Sequence, residues 1–280
     1  PSATFCVAIM EGQMSFKQSA LFLFSIFILV RCASAPQEMA VADYQIGAAL
    51  WHRTSGEYRA LSYQAYNLAR YRLDNELRKK HSKPTAIVVD VDQTVLDGSP
   101  YQAELVKKNS AYPDGWNAYV DRADGEALPG AAGFLNYATK RGVKVFYVTN
   151  RKEPQRAATR LNLIKRGFPN VDGPGALVLQ SSGTSKENHR ENIRKNYDVV
   201  LLVGDNLGDF DKSFDDKNIA ERKEAVDASE NLFGSKYIVL PNAMYGAWEG
   251  AVYDYNWKMS PSDRDSKRRA LLEGASKAVE

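Results

Sequence analysis

Five times between residues 85 and 241 the chain falls into a short apolar run: "TAIVVD" (85–90), "VKVFYV" (143–148), "ALVLQ" (176–180), "VVLLVG" (199–204) and "KYIVLP" (236–241). The runs are rich in Val and Ile, are bounded by Gly, Asp, Asn or Pro, and do not alternate with polar residues. That is the pattern of strands buried on both faces. Helical periodicity separates most of them, over 130–141, 153–166, 187–196 and 208–230. This alternation predicts an α/β fold, a doubly wound, Rossmann-like parallel sheet with helices on both faces, accompanied by a smaller, mainly helical cap or α subdomain. Ahead of the first run, 43–81 reads as helix. It carries Leu50, Tyr58, Leu61, Tyr66, Leu68, Leu73 and Leu77 without a proline, and Gly56 is a point where it can divide.

The N-terminus differs in kind. "SFKQSALFLFSIFILVRCASAPQ" holds an apolar run from Ala20 to Val30, too short to span a bilayer and suited to the central region of a secretory signal. Ala33-Ser34-Ala35 then offers an A-x-A cleavage site, so a mature chain starting near Pro36 is expected. Cys32 follows Leu29-Val30-Arg31, which resembles a bacterial lipobox except that Arg31 stands where that motif has a small residue. Simple cleavage makes the protein secreted or periplasmic; lipidation of Cys32 would make it an outer-membrane lipoprotein. Cys6 and Cys32 are the only cysteines, so cleavage after Ala35 removes disulfide and thiol chemistry. The expected organisation is upstream sequence and signal peptide over 1–35, an N-terminal helical segment over 36–84, an α/β core over 85–260 with an insertion at 91–129, and a C-terminal helix over 261–280.

Composition narrows the function classes. With 44% hydrophobic and 25% charged residues the chain has material for a sizeable core, and its net charge of +3 is spread without a Lys/Arg block. A nucleic acid polymer is therefore not the expected partner.

Ligands of open α/β sheets bind beyond the carboxyl ends of the strands, and there the polar residues gather. Asp90-Val91-Asp92-Gln93-Thr94 follows the first run, Thr149-Asn150 follows the second as a hydroxyl and amide pair expected to open a helix, Lys186 lies before another helix, and Gly204-Asp205-Asn206-Leu207-Gly208-Asp209 follows the fourth. Two aspartates two residues apart at a strand end repel one another unless a cation or hydrogen bonds offset them. Together these residues supply a nucleophilic carboxylate, a second carboxylate to give and take a proton, a hydroxyl and an ammonium for a trianionic centre, and acidic metal ligands. Phosphoryl transfer requires that set.

The same residues resemble the motifs of haloacid-dehalogenase (HAD) superfamily phosphatases: DVDQT, Thr149-Asn150, Lys186 and GDNLGD, in order. More narrowly, "DVDQTVLDGSPYQ", "YVTNR" and "LPNAMYGAWEG" with a secretion signal resemble the class C bacterial acid phosphatases, which act on nucleoside and other organic monophosphates. The resemblance implies that Asp90 forms an aspartyl-phosphate and that Asp92 is general acid and base. It implies Mg²⁺ bound by Asp90, Asp205 and the backbone carbonyl of Asp92, with Asp209 holding metal waters. Thr149, the backbone around Asn150 and Lys186 would bind the phosphoryl oxygens. A homodimer is expected by analogy, and Gln93 departs from the acidic residue often found at its position.

The remaining candidates are weighed by residue type. Trp116 and Tyr245 are candidates to stack a base or aromatic ester, and Trp248 is assigned to the core. Asp97 and Asp114 read as turn residues, and His52, His81 and His189 as packing or surface residues, since no two have ligand spacing. Expected is a secreted, Mg²⁺-dependent acid phosphatase acting on small phosphate monoesters. The alternatives are a phosphotransferase using the same intermediate, and a non-enzymatic binding or storage protein on the HAD fold.

Overall fold

The computed structural model describes residues 42–181 and 185–276. The expected signal segment, with Cys6 and Cys32, lies outside the described residues. No described helix is long and apolar enough to cross a membrane.

The expected helix at 43–81 divides at Ser55 into α1 (Ile46–Thr54) and α2 (Gly56–Glu76). Ser55 Oγ accepts from the Tyr58 N–H at 3.1 Å, an N-cap that starts α2. Along α2 the buried positions are Tyr58, Ser62, Ala65, Tyr66, Ala69 and Leu73, a stripe at helical spacing. Leu50 and Leu61 are exposed, so small residues rather than those leucines complete the packing face.

The five apolar runs form one parallel sheet. β1 (Thr85–Val89), β2 (Lys144–Lys152), β3 (Leu177–Gln180), β4 (Asp198–Gly204) and β5 (Tyr237–Val239) pair in the order β3-β2-β1-β4-β5. The chain moves outward from β1 to β3 and then returns to β4 on β1's other side, creating a switch point at the carboxyl end of β1. Alternate residues divide between two buried clusters. Ile87, Val89, Val145, Tyr147, Val203 and Ile238 face one way, against α2 and α5 (Ala131–Lys140); Ala86, Val88, Phe146, Val148 and Leu202 face the other. That second face meets Ile193 of α7 (Lys186–Asn196), Phe210 and Phe214.

Two expected elements differ. β2 continues to Lys152, so Thr149 and Asn150 lie in the strand rather than at a helix start; a 3₁₀ turn at Glu153–Gln155 precedes α6 (Arg156–Lys165). The Gln155 side chain accepts from the Lys152 N–H at 2.9 Å and starts the turn only there. The expected helix at 208–230 is two 3₁₀ turns, Leu207–Asp209 and Lys212–Phe214, followed by α8 (Ile219–Asp227). Here Asp209 accepts from the Asn206 N–H, Asp211 accepts from the Ser213 N–H, and Asn218 caps α8 through the Glu221 N–H. Short polar side chains that bond nearby backbone compete with helix continuation.

The insertion carries α3 (Ser99–Lys108) and α4 (Trp116–Asp121), and its two ends are clasped: the Asp97 N–H donates to Glu126 O at 2.8 Å and the Leu128 N–H to Val95 O at 2.9 Å. Asp97 also accepts from the Ser99 N–H at 2.8 Å, the turn role expected of it. α1 packs against α3, and Tyr101, Leu105, Tyr119 and Val120 form a separate small core beneath them.

Leu73 is fully buried between α2 and the sheet. Leu73→Ala is expected to lower unfolding free energy by about 2–5 kcal/mol in urea titrations. A change under about 1 kcal/mol would show that α2 is not part of the cooperative core.

Candidate active site

All nine side chains singled out in the sequence line one cleft of about 830 Å³: Asp90, Asp92, Trp116, Thr149, Asn150, Lys186, Asp205, Asp209 and Tyr245. It opens at the carboxyl edge of the sheet, at the switch point. Asp90 follows β1, and its N–H donates to Val203 O of β4 at 3.0 Å, so the central pairing continues into the site. Asp92 lies two residues on, in a tight loop whose Val95 and Leu96 N–H groups both donate to Val91 O.

Asp90, Asp205 and Asp209 bring one carboxylate oxygen each to within 4.8 Å of the others. Three hard oxygen donors suit a divalent cation such as Mg²⁺, Ca²⁺ or Mn²⁺ and not a soft metal. Lys186, the first residue of α7, reaches into the same cluster and donates to Asp90 Oδ1 at 2.5 Å and Asp209 Oδ1 at 2.6 Å. Burial opposes the charge on Lys186, yet the Asp209 and Asp90 carboxylates outweigh it and push its pKa up. Desolvation pushes Asp90 well above the usual carboxylate range, Lys186 working against it and the neighbouring aspartates with it. Desolvation, then the charge of Asp209, raises Asp205 to about 7.

Three further residues complete the geometry, and each lies in a stretch already quoted but carried no assigned role. Arg151, in "YVTNR", is buried and grips Asp92 as a fork, Nη2 to Oδ1 at 2.7 Å and Nε to Oδ2 at 3.0 Å. Its Nη1 donates to Thr159 Oγ1 at 3.1 Å, and its guanidinium lies 5.6 Å from the centre of the Trp116 ring. Burial disfavours its charge, but Asp92 more than restores it. Thr94 Oγ1 donates to Asp205 Oδ1 at 3.1 Å, and Asn242 Nδ2 donates to Asp205 Oδ2 at 2.7 Å. A basic residue after a strand-end Thr-Asn pair was the available signal for Arg151; for Thr94 and Asn242 only the fold supplies the partner.

Gln93 joins the surrounding pieces. It is fully buried with φ of 57°, its Oε1 accepts from the Gly98 N–H at 2.9 Å, its Nε2 donates to Tyr58 Oη at 2.6 Å and lies 3.1 Å from His52 Nδ1. His52 Nε2 accepts from the Ala243 N–H at 3.2 Å. α1, α2, the insertion and the 242–245 loop thus meet behind the Asp92 loop. His52 has the packing role expected of it, and burial lowers its pKa to about 4. Trp248 differs from expectation: it is 42% exposed, its indole N–H donating to Tyr245 O at 3.1 Å.

Paired aspartates, a bridging lysine and an acidic cluster thus meet at the switch point of a doubly wound sheet. Residues 29–248 match the family described as HAD superfamily, subfamily IIIB (acid phosphatase), and the chain belongs to that family of phosphoric monoester hydrolases. The class C acid phosphatase from Bacillus anthracis is 44% identical with a TM-score of 0.81, over 83% of this chain and 98% of that one, and its tungstate-bound crystal structure matches equally. Among curated proteins, the stem 31 kDa glycoprotein of Glycine max is 28% identical over 138 residues, and acid phosphatase 1 of Solanum lycopersicum 26% over 132. Each of these two matches covers 44% of this chain, which spans about half, 51%, of the curated relative's length.

The raised carboxylates have a consequence for stability. Their folded-state pKa values lie above the unfolded ones, so in the metal-free protein their contribution is full below the ordinary carboxylate range and is lost as pH rises through the folded values, for Asp205 about 7. A divalent cation is expected to raise the melting temperature more at about pH 7 than at about pH 4.5, read by thermal unfolding with and without added Mg²⁺. An equal response at both values would exclude the cluster as the cation site.

Proposed function

We propose that the protein is an exported, Mg²⁺-dependent acid phosphatase that hydrolyses phosphate monoesters, nucleoside monophosphates among them, through an aspartyl-phosphate on Asp90. The observation that carries the reading is the contact of Lys186 with both Asp90 and Asp209, which gathers the nucleophile, a cation for the phosphoryl oxygens and the acidic cluster in one cleft. The similar Bacillus anthracis enzyme is described with tungstate bound, an oxyanion of the same charge type as phosphate.

In this reading Asp90 Oδ attacks phosphorus, the ester P–O bond breaks, and Asp92 gives a proton to the departing alkoxide. Water then attacks the aspartyl-phosphate, Asp92 takes its proton, and phosphate leaves. Lys186, the Thr149 hydroxyl and the backbone at Asn150 hold the equatorial oxygens, where charge grows in the transition state. Asp90, Asp205 and the Asp92 carbonyl would hold Mg²⁺, with Asp209 beside it, and the ion would supply charge neutralisation when bound. Arg151 sets the orientation of Asp92 through one hydrogen bond to each carboxylate oxygen, and each oxygen keeps a second lone pair to carry the proton. Trp116 and Tyr245 flank the alcohol half and stack an aromatic group. Cleavage after Ala35 exports the chain, and the mature protein works as a homodimer.

Phosphate release at acid pH from an aryl phosphate and a nucleoside monophosphate is expected for the wild type, to vanish with EDTA, and to fall by more than about a thousandfold in Asp90→Asn. A folded, metal-loaded protein that releases phosphate from neither ester would overturn the reading. Asp92→Asn is expected to slow the nucleoside ester far more than the aryl ester, whose leaving group needs no proton. Equal slowing would count against Asp92 as the acid.

A further inference from the structure

Lys186 is not the only basic residue that α7 turns toward the acidic loop. Arg190 follows it by four residues, about one helical turn, so the two side chains leave the same face of the helix. Lys186 Nζ donates to Asp209 Oδ1 at 2.6 Å, and Arg190 Nη1 donates to Gly208 O at 2.8 Å. Two cations one turn apart thus grip two consecutive residues of the 204–209 loop. Arg190 is 1% exposed, and its other two nitrogens are taken up by its own helix: Nε and Nη2 donate to Glu187 Oε2 at 3.0 and 2.7 Å. Glu187 Oε1 in turn accepts from Arg194 Nη1 at 2.5 Å.

A buried guanidinium is costly to desolvate, and the fork to Glu187 offsets that cost within α7 alone. The bond to Gly208 O reaches further. That carbonyl belongs to the peptide plane joining Gly208 to Asp209, and the N–H of the same plane, that of Asp209, donates to Asn206 O at 2.9 Å. A planar peptide held at both edges has no freedom to rotate, so the direction in which Asp209 presents its carboxylate is fixed from outside the loop. Asp209 is one of the three residues whose carboxylate oxygens lie within 4.8 Å of one another, and it shares the Lys186 ammonium with Asp90.

We propose that Arg190 is a positioning residue for the divalent-cation site. By fastening the Gly208–Asp209 peptide to α7 it sets the separation of Asp209 from Lys186, and with it the space among Asp90, Asp205 and Asp209 that the ion enters. The inference rests on the reading of that cluster as the cation site, and it adds a residue that touches neither the cluster's oxygens nor the substrate. Loss of a hydrogen-bond partner that orients a metal-binding group lowers metal affinity roughly ten- to a hundredfold.

Metal affinity is read without turnover, by following the melting temperature of the metal-free protein as Mg²⁺ is added in the absence of substrate. The wild type, Arg190→Gln, Arg190→Lys and Glu187→Gln are compared. The Mg²⁺ concentration needed for a fixed rise in melting temperature scales with the dissociation constant. In Arg190→Gln that concentration is expected to increase roughly ten- to a hundredfold, and Arg190→Lys, which keeps the charge, is expected to recover part of the loss. Glu187→Gln weakens the fork but leaves the bond to Gly208, so it is expected to lower the metal-free melting temperature with a Mg²⁺ requirement within about twofold of the wild type. A requirement within about twofold of the wild type in Arg190→Gln, or equal increases in Arg190→Gln and Glu187→Gln, overturns the proposal and leaves Arg190 as a packing residue of α7. Should Arg190→Gln fail to fold, Arg190→Lys decides alone, an increase above about threefold supporting the proposal and a smaller one overturning it. A wild type that does not respond to Mg²⁺ overturns the cation-site reading itself, and the role of Arg190 with it.

Discussion

The crowding of three carboxylates, Asp90, Asp205 and Asp209, around one ammonium is the constraint on which the rest of the structure depends. Like charges this close, taken out of water, disfavour their own ionisation unless a cation stands between them. Lys186 supplies one cation permanently. The hard oxygen set is complementary to a second, divalent one. A chain that assembles such a group accepts a local destabilisation that a bound divalent cation relieves. That is the usual relation between an active site and the stability of its scaffold.

Holding the group in place takes backbone as much as side chain. Gly204 ends β4 against Asp209, and a Cβ there would fall 2.4 Å from the Asp209 Cβ, so only glycine lets the second aspartate approach the strand end. Asp209 is in turn fixed by the Asn206 N–H, and Asp205 by Thr94 and Asn242 from opposite sides. Asp92 is held differently, by the buried Arg151 fork, on the side of the cleft where Trp116 lies. Asp90 and Asp92 therefore sit in unlike surroundings although two residues apart, one facing an acidic cluster and a lysine, the other facing an arginine. Separate tasks for two neighbouring carboxyls arise from such asymmetry.

The cleft has two unlike walls. Sheet and turns carry the carboxylate cluster, whereas the insertion carries one face of α3 and the aromatic group around Trp116. Gln93 couples the halves, because its amide bonds Gly98 at the start of α3 and Tyr58 of α2 while its backbone belongs to the Asp92 loop.

The sheet, its strands and the gathering of polar residues at its carboxyl edge were legible in the sequence because they rest on local signals: unbroken apolar runs, and polar residues placed just beyond them. Strand ends converge by topology alone, so placing Asp90, Asp92, Lys186 and Asp205 in one cleft required no coordinates. The helix at 208–230 failed because Asp209, Asp211 and Asn218 spend their side chains on nearby backbone, a competition that periodicity does not register. β2 outran its apolar run for a related reason, Gln155 delaying the turn. Trp248 was assigned to the core on residue type, and it lies at the surface. What only the tertiary structure decided are the pairings between residues far apart in the chain: Arg151 with Asp92, Asn242 with Asp205, and His52 with the Ala243 backbone. A sequence states which groups can donate and accept; whether a buried one finds its partner depends on distances that exist only once the chain has folded.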